Sequence, residues 1–401
     1  MPLLRRNRRL SQGYEQRRLR GWAGGPVDIW IQAASAGESY LAQSLLDTCR
    51  ERHAWRVLVT TNTSQGMQIL SQSLSAMAGG MQIQTAYFPF DRPELMQRAV
   101  RRLGPRLAVL LETELWPGHL SALKLAGVPV MIVNGRLTPR SLKRYLAWPS
   151  FWQPLAPDRI LAVSEGDARR FMALFPGSHV ALMHNIKFDR LETPPLERND
   201  PGAVGRVVPA GAPFIVLGSV RREEEADVVQ LMASVRQCCR GAVIGLFPRH
   251  MHRIAAWQSH LDRWSMPWRL RSRLQAPVSP GTVILWDTFG ALSRAYERCQ
   301  ACFVGGSLAP LGGQNFLEPL ARGVLPVIGP HWDNFAWVGR EIVGKGLVRV
   351  APDWRRAAEM LIAITTNPPR RQSQRQAARA YLNARRGGSA QACREIESLL
   401  A

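Results

Sequence analysis

No G-x-x-x-x-G-K-[ST], G-x-G-x-x-G or G-x-S-x-G occurs in the 401-residue sequence. Their absence argues against a P-loop nucleotidase, a dinucleotide fingerprint and a serine nucleophile elbow. No D-x-D follows a strand-like run, so nothing in the sequence demands a metal. No stretch approaches the ~20 continuous apolar residues of a membrane span, and the first residues lack the apolar core of a signal peptide. The expectation is a cytoplasmic chain whose membrane contact, if any, is peripheral. Cysteine is sparse: of six, only Cys299 and Cys302 form a C-x-x-C, with no second Cys or His pair nearby. Reduced core thiols fit that pattern better than zinc or redox chemistry.

Acids are also scarce. Lys and Arg number 52 against 30 Asp and Glu, a formal net charge of +22. Such a field attracts polyanions, whether nucleic acid, anionic lipid or a phosphorylated substrate. The basic residues fall in dispersed groups without the aromatic interleaving of an RNA-binding motif. Seven arginines and one acid lie in the first 22 residues. With little apolar companionship, that segment reads equally as a solvated arm that gains nothing from folding or as a docking segment.

Hydrophobic content of 46% with 20% charged residues marks a globular chain, and its length suits two domains. Apolar runs at 27–35, 55–63, 81–89, 106–114, 128–136 and 158–166 read as strands. Helix-spaced stretches at 37–50, 64–76, 92–103, 116–126 and 165–175 follow or separate them. The rhythm breaks in the Pro-, Gly- and charge-rich 187–213 and resumes with runs at 214–219, 239–250, 281–288, 301–307, 324–330 and 346–352. The sequence therefore predicts an α/β fold of two doubly wound, Rossmann-like domains facing a cleft. The expected divisions are a basic segment over 1–22, a first domain over 23–186, a linker over 187–213, and a second domain with C-terminal helices over 214–401.

Polar clusters follow the apolar end of nearly every predicted strand. In "SAGES", Glu38 sits at a helix start, as a dipole-complementing residue or as a general base on a rigid element. "LLETELWP" places Glu112 and Glu114 behind a very apolar strand; alternation sends both to one side if the strand persists. Such a pair can separate in pKa and take acid and base roles, or simply cap a loop. Lys187 lies at the domain junction, where an ammonium could meet an anion. "FPRHMHR" supplies Arg249, whose guanidinium suits a phosphate. His250 and His252 are too close and too isolated to argue for a metal. "WDTFG" offers Asp287 and Thr288 as helix-start residues with Gly290 behind them. "GGQNFLEP" makes a glycine turn and sets Gln314, Asn315 and Glu318 at a helix start, a βα loop with free N–H groups suited to a phosphate. Acids and hydroxyls in the first domain, with Arg and glycine turns in the second, suit a sugar-nucleotide glycosyltransferase.

Eleven ordered blocks carry a resemblance: "SAGES", "TTNTSQGM", "FPFDRP", "LLETELWP", "NGRLTPRS", "VSEGD", "NIKFD", "FPRH", "DTFG", "GGSLAPLGGQNFLEP" and "GPHWDNF". Together they resemble the 3-deoxy-D-manno-octulosonic acid (Kdo) transferases of lipid A assembly, of the two-domain GT-B fold. The resemblance implies inverting transfer of Kdo from CMP-Kdo to a lipid A precursor at the cytoplasmic face of the inner membrane, with no cofactor. It implies Glu38 as catalytic base, with Glu112 and Lys187 assisting. It implies that CMP is held by Pro248, Arg249, the turn Phe289–Gly290–Ala291, and Asn315, Phe316, Leu317 and Glu318. The implied partners are a CMP-sugar donor, a lipid A precursor and an anionic membrane surface, with no nucleic acid. Gln314, Phe289 and Ala291 stand where the family usually has His, Met and Glu. "GSVRREEE" stands for G-S-T-H-x-G-E-E, and the usual apolar N-terminal anchor is replaced by the arginine-rich segment. A related CMP-linked acidic sugar is an alternative donor. A sugar-nucleotide epimerase of similar build is a second reading. A nucleic-acid-binding protein is a third, but it leaves the ordered motifs unexplained.

Overall fold

A computed structural model describes residues 12–22, 25–75, 80–191, 202–288 and 290–401. Phe289 and residues 1–11 of the basic segment lie outside the described residues. The chain divides into two compact units, one formed by Met1–Leu191 with Arg385–Ala401, the other by Glu192–Ala384.

Each unit is built on a seven-stranded parallel sheet. In the first, β1 (Ile29–Gln32), β2 (Arg56–Thr61), β3 (Gln82–Tyr87), β4 (Leu107–Leu111), β5 (Val130–Gly135), β6 (Arg159–Ala162) and β7 (His179–Leu182) take the order β3-β2-β1-β4-β5-β6-β7. In the second, β8 (Phe214–Val220), β9 (Val243–Pro248), β10 (Trp268–Leu270), β11 (Val283–Leu285), β12 (Ala301–Val304), β13 (Pro326–Ile328) and β14 (Arg349–Val350) take the order β10-β11-β9-β8-β12-β13-β14. Helices cover both faces, so a central strand must be apolar on both sides. All five residues of β4, "LAVLL", are buried.

Chain order reverses between β1 and β4 in the first sheet and between β8 and β12 in the second. At such a switch point the loops leaving two neighbouring strands diverge to opposite faces and open a crevice at their carboxyl ends. The helices there start where the sequence supplies caps. Ser35 begins α1 (Ala36–Cys49), and Pro93 and Pro117 open α3 (Pro93–Leu103) and α4 (Pro117–Leu125), with α2 (Ser64–Ser75) before them. Thr138 caps α5 (Pro139–Tyr145), and Ser164 caps α6 (Glu165–Leu174). The second unit carries α7 (Glu225–Cys238), α8 (Ile254–Arg263), α9 (Leu292–Arg298), α10 (Leu317–Ala321), α11 (Trp354–Thr366) and α12 (Arg371–Asn383).

Two expectations are corrected. The last helix, α13 (Gly388–Leu400), belongs to the first unit, although the sequence division placed all of 214–401 in the second. Its apolar face, Ala392, Cys393, Ile396 and Leu400, packs with Leu41, Leu45 and Cys49 of α1 beneath the first sheet. Asp189 holds its start, accepting from the N–H groups of Gly387 and Ser389 at 2.7 Å each. Gly388 is required there, since a Cβ would lie 2.1 Å from the His184 carbonyl oxygen.

The described part of the arginine-rich segment, 12–22, also folds. Arg17 is 4% exposed, and burial lowers its pKa. Its guanidinium donates to the carbonyl oxygens of Phe88 at 3.1 Å and Asn62 at 2.7 Å and lies 5.0 Å from the Tyr87 ring centroid. Trp22 enters the core 5.9 Å from Trp30 and donates to the Tyr87 carbonyl. The segment gains from folding because one arginine satisfies carbonyls that would otherwise be unpaired. Arg17→Ala is expected to destabilise the first unit by about 1–3 kcal/mol in urea unfolding, whereas the exposed Arg20→Ala stays within about 0.5 kcal/mol. Equal effects would contradict the clamp.

Candidate active site

The carboxyl end of β1 delivers the chain to Ser35, the N-cap of α1. Ser35 and Glu38 form a capping box: the Glu38 N–H donates to Ser35 Oγ at 3.3 Å, and the Ser35 N–H donates to Glu38 Oε2 at 2.9 Å. The box fixes the Glu38 carboxyl at the switch point with only 7% of the residue exposed. Burial raises its pKa to about 8, helped by the charges of Glu114 and Glu112; backbone hydrogen bonds from Ser35 and Ala34 oppose the rise.

Across the switch point, β4 ends at Leu111, and Glu112 takes a left-handed φ of 56°. The strand therefore does not persist through the two acids, as alternation required. A turn brings them toward Glu38 instead. Glu112 is neutralised by Lys187, whose Nζ lies 2.7 Å from Oε1, with Arg136 Nη1 at 3.9 Å. Glu114 accepts from Trp116 Nε1 at 2.6 Å; burial raises its pKa, and Glu112 adds to the rise. Lys187 is placed by two buried amides. Asn134, itself at φ 59°, accepts the Ile186 N–H at 2.9 Å, and Asn185 accepts the Lys187 N–H at 3.0 Å. The structure thus brings together Glu38, Glu112 and Lys187, the three residues singled out in the first half. Among the blocks there, "FPFDRP" is structural at its aspartate: Asp91 accepts the N–H groups of Gly118 and His119 at the start of α4.

The second unit's switch point lies between β8 and β12. The turn Gly305–Gly306–Ser307 after β12 is held by Glu224, a fully buried residue. Its carboxylate accepts N–H groups from Gly306 at 2.5 Å, Ser307 at 3.2 Å, Leu308 at 3.3 Å and Arg221 at 2.9 Å. A Cβ on Gly305 would come within 2.5 Å of that carboxylate and 2.8 Å of the Ser219 carbonyl oxygen. The "GGQN" turn is tied to the same place, with Gly313 N–H donating to the Gly306 carbonyl at 2.7 Å and Gln314 N–H to that of Gly305 at 3.1 Å. Asn315 then accepts the Leu317 N–H at 3.2 Å, so its side chain starts α10 with Phe316 buried and Glu318 in the first turn. Pro248 ends β9 buried, and the exposed Arg249 donates its N–H to Val220 at 2.8 Å. Pro248 and Arg249 therefore lie at the carboxyl end of β9, and 315–318 in the segment that follows β12.

Asp287 does not start a helix. It accepts from the N–H and hydroxyl of Ser272, and α9 begins at Leu292 with Ala291 as N-cap behind Gly290. Cys299 and Cys302 are both buried in the core. Sequence reasoning missed Glu224, hidden in the run "RREEE" that looks like solvated charge; its signal was its place three residues beyond the turn residue Arg221. Arg136 was missed because its partner Glu112 lies in the turn after another strand, 24 residues away.

Residues 5–190 match the family described as 3-Deoxy-D-manno-octulosonic-acid transferase (kdotransferase). The chain is 32% identical over 383 residues to a 3-deoxy-D-manno-octulosonic acid transferase of Bordetella pertussis, covering 93% of this chain and 87% of that one. It is 30% identical to the Chlamydia pneumoniae protein of that name, covering 77% and 70%. Among solved structures, a glycosyltransferase of Rickettsia africae ESF-5 matches with a TM-score of 0.60 at 8% identity over 94% of this chain and 99% of that one. A UDP-GlcNAc 2-epimerase of Neisseria meningitidis matches at 0.58 and 12% identity over 93% and 99%. These two likenesses show the GT-B fold alone. The sequence matches decide the family: this chain belongs to the 3-deoxy-D-manno-octulosonic acid transferases and is a glycosyltransferase.

Proposed function

We propose that the enzyme transfers Kdo from CMP-Kdo to a hydroxyl of a lipid A precursor with inversion at the anomeric carbon. Glu38 is the general base. It takes the hydroxyl proton as the oxygen bonds to the anomeric carbon, and CMP leaves with the electron pair of the broken C–O bond. Glu112 and Lys187 assist; Lys187 and Arg136 offset one of the three acidic charges around the reaction. CMP is held by Pro248, Arg249, the 289–291 turn and 315–318, the last behind the turn that Glu224 holds. The reading invokes no cofactor and no metal and assigns the phosphate charge to Arg249. It places the enzyme peripherally at the cytoplasmic membrane face. In support, no described helix is long and apolar enough to cross a membrane, and the +22 net charge favours an anionic surface.

The observation that carries the reading is Glu38: a buried carboxyl on a rigid helix start, beside two acids and a Lys–Glu pair, with its pKa pushed up to about 8. A base with that pKa loses its proton near the working pH, where general-base catalysis is most effective. CMP release from CMP-Kdo is measured with and without acceptor. The wild type should release CMP only with acceptor, and Glu38→Gln should be roughly 10²–10⁴-fold slower. Donor turnover without acceptor, or full activity in the variant, would refute the mechanism.

The wild-type kcat/KM should fall as pH drops below about 8, the pKa of the free base. Stability runs the other way. The folded pKa is raised above the ordinary 4.5, so the fold disfavours the carboxylate and loses stability as pH rises from 4.5 through 8. Glu38→Gln should therefore melt above the wild type at pH 9 and with it at pH 4. Glu224→Gln replaces an acceptor of four N–H groups with a side chain that also donates. It is expected to raise the KM for CMP-Kdo roughly tenfold or more with a smaller effect on kcat, consistent with lost charge-assisted hydrogen bonds. An unchanged donor KM would remove Glu224 from the donor site.

A further inference from the structure

The arginines that the reaction does not use converge elsewhere on the first unit. A cavity of about 520 Å³ lies between the 12–22 segment and the start of α3. Arg18, Arg20, Arg92, Arg98 and Arg102 line it, against a single acid, Glu94. Tyr14 and Phe90 give it an aromatic wall, their ring centroids 5.8 Å apart in an edge-to-face contact.

Like charges do not gather without a reason. Guanidinium groups gathered around one space repel one another, and Glu94 is the one acid that lines it. Arg92 and Arg98 make no ion pair among the described residues, whereas Arg20 reaches Glu15 at 3.4 Å. The arrangement is nonetheless built. The buried Arg17 clamps the segment to Asn62 and Phe88, the Phe90 N–H donates to the Arg17 carbonyl at 3.0 Å, and the Tyr87 N–H donates to Gln16 Oε1 at 3.1 Å. That clamp places Arg18 and Arg20 opposite α3. A folded wall on which Arg92 and Arg98 make no ion pair among the described residues suits an anion, and the planar forks of arginine match the oxygens of phosphate.

We propose that this cavity is a binding subsite for a phosphate monoester carried on an amphiphile. The monoester supplies nearly two negative charges and three acceptor oxygens to several arginines at once. The Tyr14–Phe90 wall takes the less polar body next to it. On the transferase reading above, that amphiphile is the acceptor, and the identification rests on that reading; the phosphate subsite does not.

Binding is measured by sedimentation with phosphatidylcholine vesicles containing phosphatidic acid, a monoester, or phosphatidylglycerol, a diester, at matched surface charge. The full chain is compared with Arg92→Gln/Arg98→Gln and with Arg101→Gln/Arg355→Gln, which removes the same charge outside the cavity. The wild type and the control should prefer phosphatidic acid. Arg92→Gln/Arg98→Gln should bind it roughly tenfold or more weakly while retaining phosphatidylglycerol binding and an unchanged melting temperature. Equal loss in the two double variants means general surface charge and overturns the subsite. A rise in melting temperature with inorganic phosphate that the cavity variant loses, without any preference for phosphatidic acid, assigns the site to free phosphate and overturns the amphiphile. The KM for a phosphorylated acceptor should rise in the cavity variant with kcat unchanged, and a dephosphorylated acceptor should not respond. If no acceptor is glycosylated at all, the transferase reading fails while the vesicle result still decides the subsite.

Discussion

Both units bury a glutamate just behind their central strand, and the environment of that carboxylate decides what each half of the molecule does. Glu38 follows β1 and Glu224 follows β8, each three residues beyond the residue whose backbone N–H it accepts. Burial raises the pKa of both. Glu224 then receives four N–H donors, which oppose that rise and make it the anchor of the Gly305–Ser307 turn. Glu38 meets fewer donors and two other acids, which favour the neutral form. Local placement is shared; the number of N–H donors and the neighbouring charges separate a structural carboxylate from one that exchanges a proton near neutrality.

The surroundings of Glu38 show how such a site is kept in register. Glu112 and Asn134 hold left-handed φ angles that non-glycine residues rarely adopt, both at the carboxyl ends of neighbouring strands. Conformations of that kind persist only where their surroundings over-determine them. Here the Lys187–Glu112 pair fixes one end and the Asn134–Ile186 hydrogen bond the other. α13 closes the same face from below, with Asp189, two residues beyond Lys187, holding its start. Lys187 is thus tied to the start of α13 through one short 3-10 helix, Ile186–Phe188.

Sequence alone makes the interior of both sheets legible. A strand covered on two faces must be a continuous apolar run, and β4 and β9 read as such. β7 and β10 were not legible. They lie at sheet edges, pair on one side only, and are largely half-exposed or exposed, so burial does not impose an apolar pattern on "HVAL" or "WRL". The assignment of α13 failed for a related reason. Its amphipathic face is explicit in the sequence, but an apolar stripe does not name the sheet it covers. That choice is made by the fit of Gly388 against His184 and by Asp189 at the helix start, contacts spanning about two hundred positions of chain.

The site divides along the same line. Residues whose role is local were readable: Glu38 from its place at a helix start, Asn315 and Glu318 from a glycine turn at a helix start. Residues defined by a partner far along the chain were not. Arg136 matters through Glu112, and Glu224 through the amides of a turn 82 to 84 residues later. Arg17 is the clearest case. Within "EQRRLRG" nothing distinguishes it from Arg18 or Arg20, yet it alone of the three is buried, because the carbonyl oxygens of Asn62 and Phe88, 45 and 71 residues away, converge on its guanidinium. Charge counting treats the three as equivalent. The fold makes one of them a structural clamp, and the clamp holds the other two on the wall of a cavity instead of on a free arm.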